Sequence, residues 1–594
     1  MAALDLPRAP DLPQWMQTLR DRYLHTDTGQ FILHGNVHDV IFAGGRVWSM
    51  PDFLDAFFEP SGKLVVHFDP GKGVYFPKRS HAVLAARALV EANMIRAAAT
   101  SDAALVRALD DALGMERDAA VVLPALEVLL TRAEMPCAII MHYGSLITPA
   151  GDAASLSVMD RTAAATLHRW SLWDEVVHND NMVIMLCSTL SSLSQRLTRN
   201  PRIVAIKVPL PAGLERARFL SHAHSGLSEE RGSGLVRLTA GLQLRQVDDL
   251  MKSGTLTEGP DDSLPVEQVA ARKKEILEQE CHGLIEVINP DHDFTVVGGL
   301  EPIKQGLMRI VDHVKAGRRA QVPMGVMLVG PMGTGKSFIA EAFARESGLA
   351  AIKLKNFRDK WVGSTEANLE KVLGVIESLG EILVIIDEGD RAMGGDEGDS
   401  GVNSRVMARL KEFMSDPDHR GRIIFMMMTN RPDKLDTDMK RPGRFDTKIP
   451  FFRPQSSTER AAIVRAQIRR HKLKVDLPDE VLLPILEDLH DYGAADLEAL
   501  LLMAWDDLHA GLNPNADQTD EQATEEAADT LTGPYLAQAA RDYLPTRETA
   551  MMEYMELLAV QEASSRRWLP GAYRDISMQT LHERLEHARG RALR

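Results

Sequence analysis

The loop from Gly330 to Ser337, with the sequence GPMGTGKS, constrains the fold of this chain more than any other feature. Its spacing is G-x-x-x-x-G-K-[ST], in which the glycines let successive backbone N–H groups turn inward around phosphate groups. An apolar run over 326–329 precedes the loop, and a helical pattern over 338–345 follows it. A chance glycine-rich turn would not combine both flanks with the terminal lysine and serine. The pattern therefore predicts a strand, a phosphate-binding loop and the N-terminus of a helix, in that order.

Two side chains of this loop have the chemistry that a bound triphosphate needs. Lys336 would neutralise the β- and γ-phosphates, and the Ser337 hydroxyl would bind Mg²⁺. The loop therefore implies a nucleoside triphosphate and Mg²⁺ as cofactors, and the family resemblance given below identifies the nucleotide as ATP. The residues predicted to contact the nucleotide are Pro331, Met332, Gly333, Thr334, Gly335, Lys336, Ser337 and Phe338.

A second motif is an apolar run that ends in two acidic residues. Asp387 and Glu388 directly follow the run Ile382–Ile386. Alone, an acidic pair at a strand end is usually only the start of a solvated loop. After a phosphate loop, Asp387 is predicted to hold Mg²⁺ through water, and Glu388 to polarise the attacking water. Together the two motifs predict a nucleoside triphosphatase.

Short apolar runs alternate with helical patterns through the second half of the chain. Near-continuous apolar strands separated by helices are typical of a parallel sheet that is covered on both faces. The predicted fold class is therefore α/β, with a P-loop parallel sheet flanked by helices and a C-terminal helical lid. The predicted strands are 326–329, 351–354, 382–386, 423–428 and 448–451.

Three further segments carry a family resemblance. They are FTVVGGL at Phe294–Leu300, TNRPD at Thr429–Asp433 and RPGRFD at Arg441–Asp446. With the phosphate loop and the acidic pair, they resemble the AAA family within the AAA+ class. The resemblance implies an ATPase of the protein-remodelling type with the AAA+ fold.

The resemblance also implies roles for single residues. Backbone groups near Val297 and Gly298 would contact adenine, and Asn430 would sense the γ-phosphate. Arg441 and Arg444 would be arginine fingers for a neighbouring subunit; an arginine supplied in trans is worth ~10³–10⁵ in rate in other NTPases. The alternative is that both arginines pair with nearby aspartates at the surface. Fingers that act in trans require a ring or a filament.

Gly493 and Ala494, in the sequence GAADL, resemble the family's second sensor in the helical lid. An alanine-rich helix start stands here in place of the arginine of other AAA+ groups. The resemblance implies that the nucleotide lies against the backbone of the lid, although such a sequence is also an ordinary helix start.

The segment Lys360, Trp361, Val362, Gly363 resembles the aromatic–hydrophobic–glycine loop that lines the central pore of protein-threading members. An aromatic side chain on such a loop can hold an extended polypeptide through apolar contact. The alternative is a packed core tryptophan, but charged residues flank the segment. A second pore loop is predicted over 390–403.

The leading functional prediction is a homohexameric ring that remodels, unfolds or disassembles protein substrates. The alternatives are an ATP-controlled scaffold or regulator that threads nothing and, with less support, a nucleic-acid translocase. The net charge of −16 disfavours nucleic acid as a partner, because non-specific affinity for phosphates comes from clustered lysine and arginine. No apolar run reaches the roughly 18–20 residues of a membrane span, and the scattered cysteines encode no disulfide framework. These observations favour a cytoplasmic protein.

Two breaks divide the chain: 253–264 is rich in glycine, proline and aspartate, and 513–533 is acidic. The predicted domains are 1–255, an α/β domain without a phosphate loop; 256–290, a helical linker; 291–455, the large AAA+ domain; and 456–594, the helical lid with a C-terminal helical extension.

The first half has a strand and helix order similar to that of the second, including helices over 81–98 and 119–132. One apolar strand of the first half ends in His142 and Tyr143, at the place where an active ATPase would have two acidic residues. We therefore predict a degenerate AAA-like domain; the alternative is an unrelated α/β recognition domain. His34, His38 and Asp39 would have metal-ligand spacing only in a helix, and their segment has the pattern of a strand and a hydrogen-bonded turn.

Overall fold

The computed structural model describes residues 12–25, 28–132, 135–151, 155–223, 229–252, 266–355, 365–390, 401–510, 530–545 and 548–592. Backbone contacts divide the chain into two compact units. The first unit extends to Leu277 and also takes in Glu366–Ser378, and the second comprises Glu278–Thr365 and Leu379–Arg594. The predicted domain limits at 255, 290 and 455 remain predictions.

The strands are numbered in chain order. They are β1 (Gln30–Gly35), β2 (Ile41–Ala43), β3 (Arg46–Trp48), β4 (Leu64–Asp69), β5 (Gly73–Tyr75), β6 (Cys137–Met141), β7 (Met182–Cys187), β8 (Ile203–Val208), β9 (Ile285–Ile288), β10 (Gly325–Val329), β11 (Ala350–Leu354), β12 (Ile382–Ile386), β13 (Ile423–Thr429), β14 (Thr447–Pro450), β15 (Val475–Asp476) and β16 (Leu531–Thr532).

The helices of the described segments are numbered in the same way. They are α1 (Gln14–His25), α2 (Met50–Phe58), α3 (Arg79–Glu91), α4 (Asp102–Leu109), α5 (Ala119–Leu130), α6 (Gly144–Ile147), α7 (Val158–Leu172), α8 (Asp174–His178), α9 (Gln195–Thr198), α10 (Gly213–Ala223), α11 (Glu229–Leu238), α12 (Leu244–Lys252), α13 (Val266–Glu280), α14 (Glu301–Lys315), α15 (Lys336–Ser347), α16 (Thr365–Leu379), α17 (Gly401–Met414), α18 (Ser457–His471), α19 (Asp479–Glu487), α20 (Ala494–His509), α21 (Gly533–Asp542), α22 (Thr549–Glu562), α23 (Gly571–Arg574) and α24 (Met578–Ala592).

Each unit is built on a sheet with six strands among the described residues. The first sheet has the order β8-β1-β7-β6-β4-β5, and the second has the order β14-β10-β13-β12-β11-β9. All neighbouring strands run parallel except β5 and β9, which pair antiparallel with β4 and β11 at one edge. The predicted α/β fold class is confirmed.

The two sheets follow one plan. In each, the first parallel strand along the chain lies between the fifth and the fourth, the third and second follow, and an antiparallel strand closes the edge. An unrelated recognition domain would have no reason to repeat this order. The shared order supports the prediction that the first half is a degenerate AAA-like domain.

The strands of the second sheet are apolar because helices cover both of its faces. Every residue of β10, β12 and β13 is buried. Ile339 and Phe343 of α15 pack on one face of this sheet. The five parallel strands of this sheet begin and end within one residue of their predicted limits.

Two elements differ from prediction. The helix predicted over 81–98 ends at Glu91, because Asn93 takes a φ of 58° and the Met94 N–H donates to the Leu89 carbonyl at 2.9 Å. Strand β9 lies in the predicted helical linker. It is short and its residues are half-buried beyond the first, so it carries little of the apolar signal that marks a strand.

The C-terminal part of the second unit is helical, as predicted. Helices α18 to α21 share one apolar core, which includes Leu482, Leu497 and Leu501. The apolar residues of α22, among them Leu557 and Leu558, pack in a separate core with α24. The apolar side chains of α22 therefore serve core packing.

Candidate nucleotide site

Three adjacent strands of the second sheet end at the predicted site. β13 lies between β10 and β12, so Gly330, Asn430 and Asp387 follow neighbouring strands at one edge. The Gly330 N–H donates to the Thr429 carbonyl at 3.2 Å, which fixes the loop against β13. In parallel α/β sheets this carboxyl edge is where ligands bind.

The loop itself requires glycine where it leaves β10. Gly330 has a φ of 156°, and a Cβ there would lie 2.3 Å from the Phe451 carbonyl oxygen. Gly333 and Gly335 take φ values of 76° and 86°, and Gly335 stands directly before helix α15. These left-handed conformations, which favour glycine, give the tight turn that a phosphate loop needs before a helix N-terminus.

Lys336 is buried at the start of α15. Its ammonium donates to the carbonyls of Gly330 at 2.8 Å and Pro331 at 2.6 Å. Burial lowers the pKa of this ammonium to about 7, although the carboxylates of Asp387 and Asp390 act in the opposite direction. Anionic phosphates in the loop would offset the burial and favour the charged form.

The acidic pair stands directly after β12. Asp387 accepts from the Lys353 ammonium of β11 at 2.7 Å, and its other oxygen accepts from the Glu388 N–H at 3.0 Å. Glu388 has a φ of 48°, which is uncommon for a non-glycine residue, and its side chain is exposed. Such conformations often mark functional sites. Lys353 was not predicted, since a lysine inside an apolar strand gives no motif of its own.

A third acid, Asp390, also belongs to this site. Its carboxylate accepts from the Thr429 hydroxyl at 2.9 Å, and the same hydroxyl accepts from the Arg431 N–H at 3.1 Å. This pair joins the acidic segment to the strand end that carries Asn430. The sequence places Asp390 in the predicted second pore loop, and no sequence motif indicates its contact with Thr429.

The lid reaches the phosphate loop through the start of α20. The Ala495 N–H donates to the Gly333 carbonyl at 3.2 Å. The Asp496 carboxylate accepts from the Gly493 N–H at 2.8 Å and from the Tyr543 hydroxyl at 3.1 Å. The backbone at Gly493 and Ala494 thus lies beside the loop, with the partial positive charge of a helix N-terminus directed at it.

The segment predicted to contact adenine packs against the first helix of the lid. A Cβ on Gly298 would lie 2.4 Å from the Ala462 carbonyl oxygen of α18, so only glycine fits there. Val297 is buried, and its carbonyl accepts from the Lys304 ammonium at 3.0 Å. The backbone of this segment is therefore held between the large domain and the lid.

Phe338 lies in the first turn of α15. His292 stacks on its ring at 3.9 Å between centroids, and the Arg470 guanidinium of α18 lies 4.8 Å from the ring centre. Neither His292 nor Arg470 belongs to a sequence motif, so the sequence does not predict their contacts with Phe338.

The two predicted finger arginines lie at the other end of β10. A Cβ on Gly325, the first residue of this strand, would lie 2.5 Å from the Arg444 carbonyl oxygen. The Arg444 guanidinium donates to the Ser415 hydroxyl at 3.0 Å and the Asp438 carbonyl at 2.7 Å. Arg441 is 71% exposed and pairs with the Asp438 carboxylate at 3.0 Å. The predicted alternative, pairing with a nearby aspartate, therefore occurs for Arg441 within its own chain.

The pore-loop prediction falls outside the described residues. Lys360, Trp361, Val362 and Gly363 all belong to that part of the chain, as does most of the predicted second loop.

Two family models match the chain. Residues 6–209 match the AAA+ chaperone, N-terminal Rossmann-like domain, and residues 326–453 match the ATPase family associated with various cellular activities (AAA). The second match contains the phosphate loop, the acidic pair, Asn430 and both arginines. Residues 326–453 therefore form a domain of the AAA family of ATPases.

Several curated proteins are similar to part of this chain. Protein SAV of Sulfolobus acidocaldarius is 33% identical over 36% of this chain and 28% of that protein. The cell division cycle protein 48 homolog of Archaeoglobus fulgidus is 32% identical over 36% of this chain and 30% of that protein. The ATP-dependent zinc metalloprotease FtsH 3 of Sphaerobacter thermophilus is 31% identical over 47% of this chain and 55% of that protein. The chain thus spans less than a third of the length of the first two relatives.

The residues of the site suit a nucleotide with a divalent cation. The exposed Ser337 hydroxyl and the Asp387 carboxylate are oxygen ligands of the kind that Mg²⁺ prefers. Mg²⁺ at such sites takes one or two protein ligands, with substrate phosphates and water completing its shell. Among the described residues, no group of three or more His, Cys, Asp or Glu side chains could hold a metal ion by itself. In the same ranges, every helix is too short or too polar to cross a bilayer.

Proposed function

We propose that this AAA ATPase forms a homohexameric ring that uses ATP and Mg²⁺ to remodel, unfold or disassemble proteins by threading them through its pore. The observation that carries the proposal is the distance between the finger arginines and the nucleotide site of their own chain. The five residues of β10 separate Arg444 from Gly330. At ~3.3 Å per residue, this is about 16 Å.

An arginine side chain cannot cross that distance around the edge of a packed sheet. Arg441 shares the turn of Arg444, whose N–H donates to the Arg441 carbonyl at 3.2 Å. Both arginines therefore lie at the end of β10 that is opposite their own phosphate loop. If they stabilise charge on the γ-phosphate, they do so in the site of another copy, which a closed ring provides for every subunit.

Within one site, each group has a separate task. The backbone N–H groups after Gly330 and the Lys336 ammonium would hold the β- and γ-phosphates. Glu388 would polarise the attacking water, and Asn430 would donate to the γ-phosphate. Mg²⁺, held by Ser337 and Asp387, would neutralise phosphate charge.

Protein, rather than nucleic acid, is the proposed substrate. The support is the aromatic segment around Trp361, the net charge of −16, and a first half that matches the chaperone N-terminal domain. The cytoplasmic location is part of the same proposal, and cell fractionation tests it.

Mixing two inactive variants tests the ring. Lys336→Ala removes phosphate binding but leaves the arginines, and Arg441→Ala leaves the phosphate site intact. We expect each variant alone to lose roughly 10³-fold or more in ATP turnover. Mixed rings should recover turnover, because the Lys336→Ala subunit supplies its arginine to a competent neighbour.

The matched control is Arg409→Ala, which removes another exposed arginine from α17, where it pairs with Glu412. It should keep wild-type turnover. An absence of recovery at every mixing ratio, with both variants folded, would contradict the proposed ring.

A further inference from the structure

The first half contains a backbone counterpart of the nucleotide site. Gly35 ends β1 with a φ of 100°, and a Cβ there would lie 2.6 Å from the Val208 carbonyl oxygen. Gly330 has the same relation to Phe451 after β10. Because β1 and β10 hold the same place in their sheets, the loop after Gly35 corresponds to the phosphate loop.

The ends of β6 and β12 correspond as well. Tyr143 has a φ of 50°, beside 48° at Glu388. The next residue in each half is a glycine whose Cβ would lie 2.4–2.7 Å from methionine side-chain atoms, those of Met185 and Met427 on the neighbouring strand. His142 thus stands in the place of Asp387, so the first half has the site without its metal ligand.

Asp39 lies in the loop after Gly35 and is 3% exposed. Its carboxylate accepts four hydrogen bonds. Two come from its own loop, the Asn36 amide at 3.0 Å and the Val40 N–H at 2.8 Å. The other two come from the start of helix α12, the Leu244 N–H at 2.9 Å and the Arg245 N–H at 3.1 Å.

Helix α12 is the third helix after the first sheet, as α20 is the third after the second. The N-terminus of each helix meets the loop that follows the first parallel strand, α20 through Ala495 and Gly333. A helix N-terminus has unpaired N–H groups and a partial positive charge, so an anion stabilises it. In the second half the phosphates of a nucleotide would supply that anion. In the first half the Asp39 carboxylate supplies the anion.

We propose that Asp39 is a built-in replacement for nucleotide phosphate, which holds α12 closed on the first sheet whether or not ATP is present. The first half then binds no nucleotide and keeps one conformation while the second half passes through its ATP cycle. The first half would thus keep the same conformation in every nucleotide state of the second half. This proposal does not depend on which substrate the second half remodels.

Hydrogen exchange measured by mass spectrometry tests the proposal. In the nucleotide-free wild type, we expect the N–H groups of 244–247 to be already protected. ATP with Mg²⁺ should add protection at 330–338 and 494–497 and none at 35–40 or 244–247. In a Lys336→Ala protein, any ATP-dependent protection in these first-half segments would overturn the proposal, because the nucleotide would then be bound there.

Asp39→Asn tests the carboxylate directly. The amide offers one acceptor oxygen and turns an NH₂ group toward the donors, so we expect exchange at 244–247 to be about tenfold faster or more. The control is Asp248→Asn, on the same helix, whose carboxylate pairs with Lys252 and should leave that exchange unchanged. Unchanged exchange in Asp39→Asn would refute the role of Asp39.

ATP turnover by the second half shows whether the Asp39→Asn chain is folded. If that variant does not fold, the wild-type exchange decides: unprotected N–H groups at 244–247 without nucleotide would overturn the proposal, and protection there would support it.

Discussion

At the residue scale, Lys336 shows the electrostatic cost of a buried ammonium in a phosphate loop. The ammonium is buried and donates to two loop carbonyls, and its pKa is lowered to about 7. The unfolded chain keeps a lysine pKa near 10.5, so between pH 7 and 10.5 it binds more protons than the folded chain. The burial of Lys336 therefore costs stability below pH 7, and this cost disappears as the pH rises.

The same shift predicts how ATP affinity depends on pH. Bound phosphates favour the charged lysine, so binding takes up a proton above pH 7. We expect ATP affinity to fall with rising pH from 7.5 to 9, by up to ~10-fold per pH unit. Calorimetric titration of the non-hydrolysing Glu388→Gln protein would measure this, in a range where the γ-phosphate is already ionised. Lys336→Met in the same background should bind weakly and without pH dependence; an equal slope in both proteins would assign the effect elsewhere.

At the element scale, the lid contributes a helix start rather than an arginine. Helix α20 places the Ala495 N–H on the Gly333 carbonyl, and Asp496 holds the turn before it. The sequence implied this arrangement through the family resemblance. The capping contact of Tyr543 with Asp496 joins α20 to the end of α21, which no local pattern indicates.

Asp496→Ala should loosen this helix start. Loss of such a cap costs about 1 kcal/mol, so we expect a lower thermal midpoint and about fivefold weaker ATP binding if the lid start contacts the nucleotide. Asp506→Ala is the matched control, since it removes an exposed acid from the opposite end of the same helix. A loss of stability with unchanged ATP affinity would show that the cap stabilises the lid without contributing to the site.

At the scale of the whole molecule, the chain joins two units with one strand order and different chemistry. The second unit contains Lys336, the acidic pair and the two arginines. The first unit shares only the strand order and backbone conformations of the second. Under the two proposals, the second unit of each subunit changes conformation with ATP, and the first unit keeps one conformation.

The Glu388→Gln protein should also trap substrates. Held with ATP and isolated from its native cells, it should retain a protein that is lost when Trp361→Ala is added. Trp361→Phe is the control, because it keeps an aromatic side chain and should retain the same protein. Partners that remain bound in all three proteins would instead favour the scaffold function.

Local chemistry made the second half predictable from the sequence. Glycines, the lysine and the acidic pair are adjacent along the chain, and the buried parallel strands are continuous apolar runs, so motif and strand limits follow from neighbouring residues. The order of the strands in the sheet does not follow from neighbouring residues. The contact of Lys353 with Asp387, the contact of Thr429 with Asp390 and the distance of Arg444 from its own site depend on which strands lie side by side.

Asp39 is the clearest case of what only the tertiary structure decided. Its sequence predicted a hydrogen-bonded turn, and that turn is confirmed. Its partners on α12, however, come 205 and 206 residues later in the chain. A lone aspartate after a strand gives no sign of them, because a carboxylate at a helix N-terminus is recognised by the position of the helix and not by the residues beside it. The sequence determined which half carries the phosphate loop and the acidic pair, and the packing of helix on sheet decided what stands in the same place in the other half.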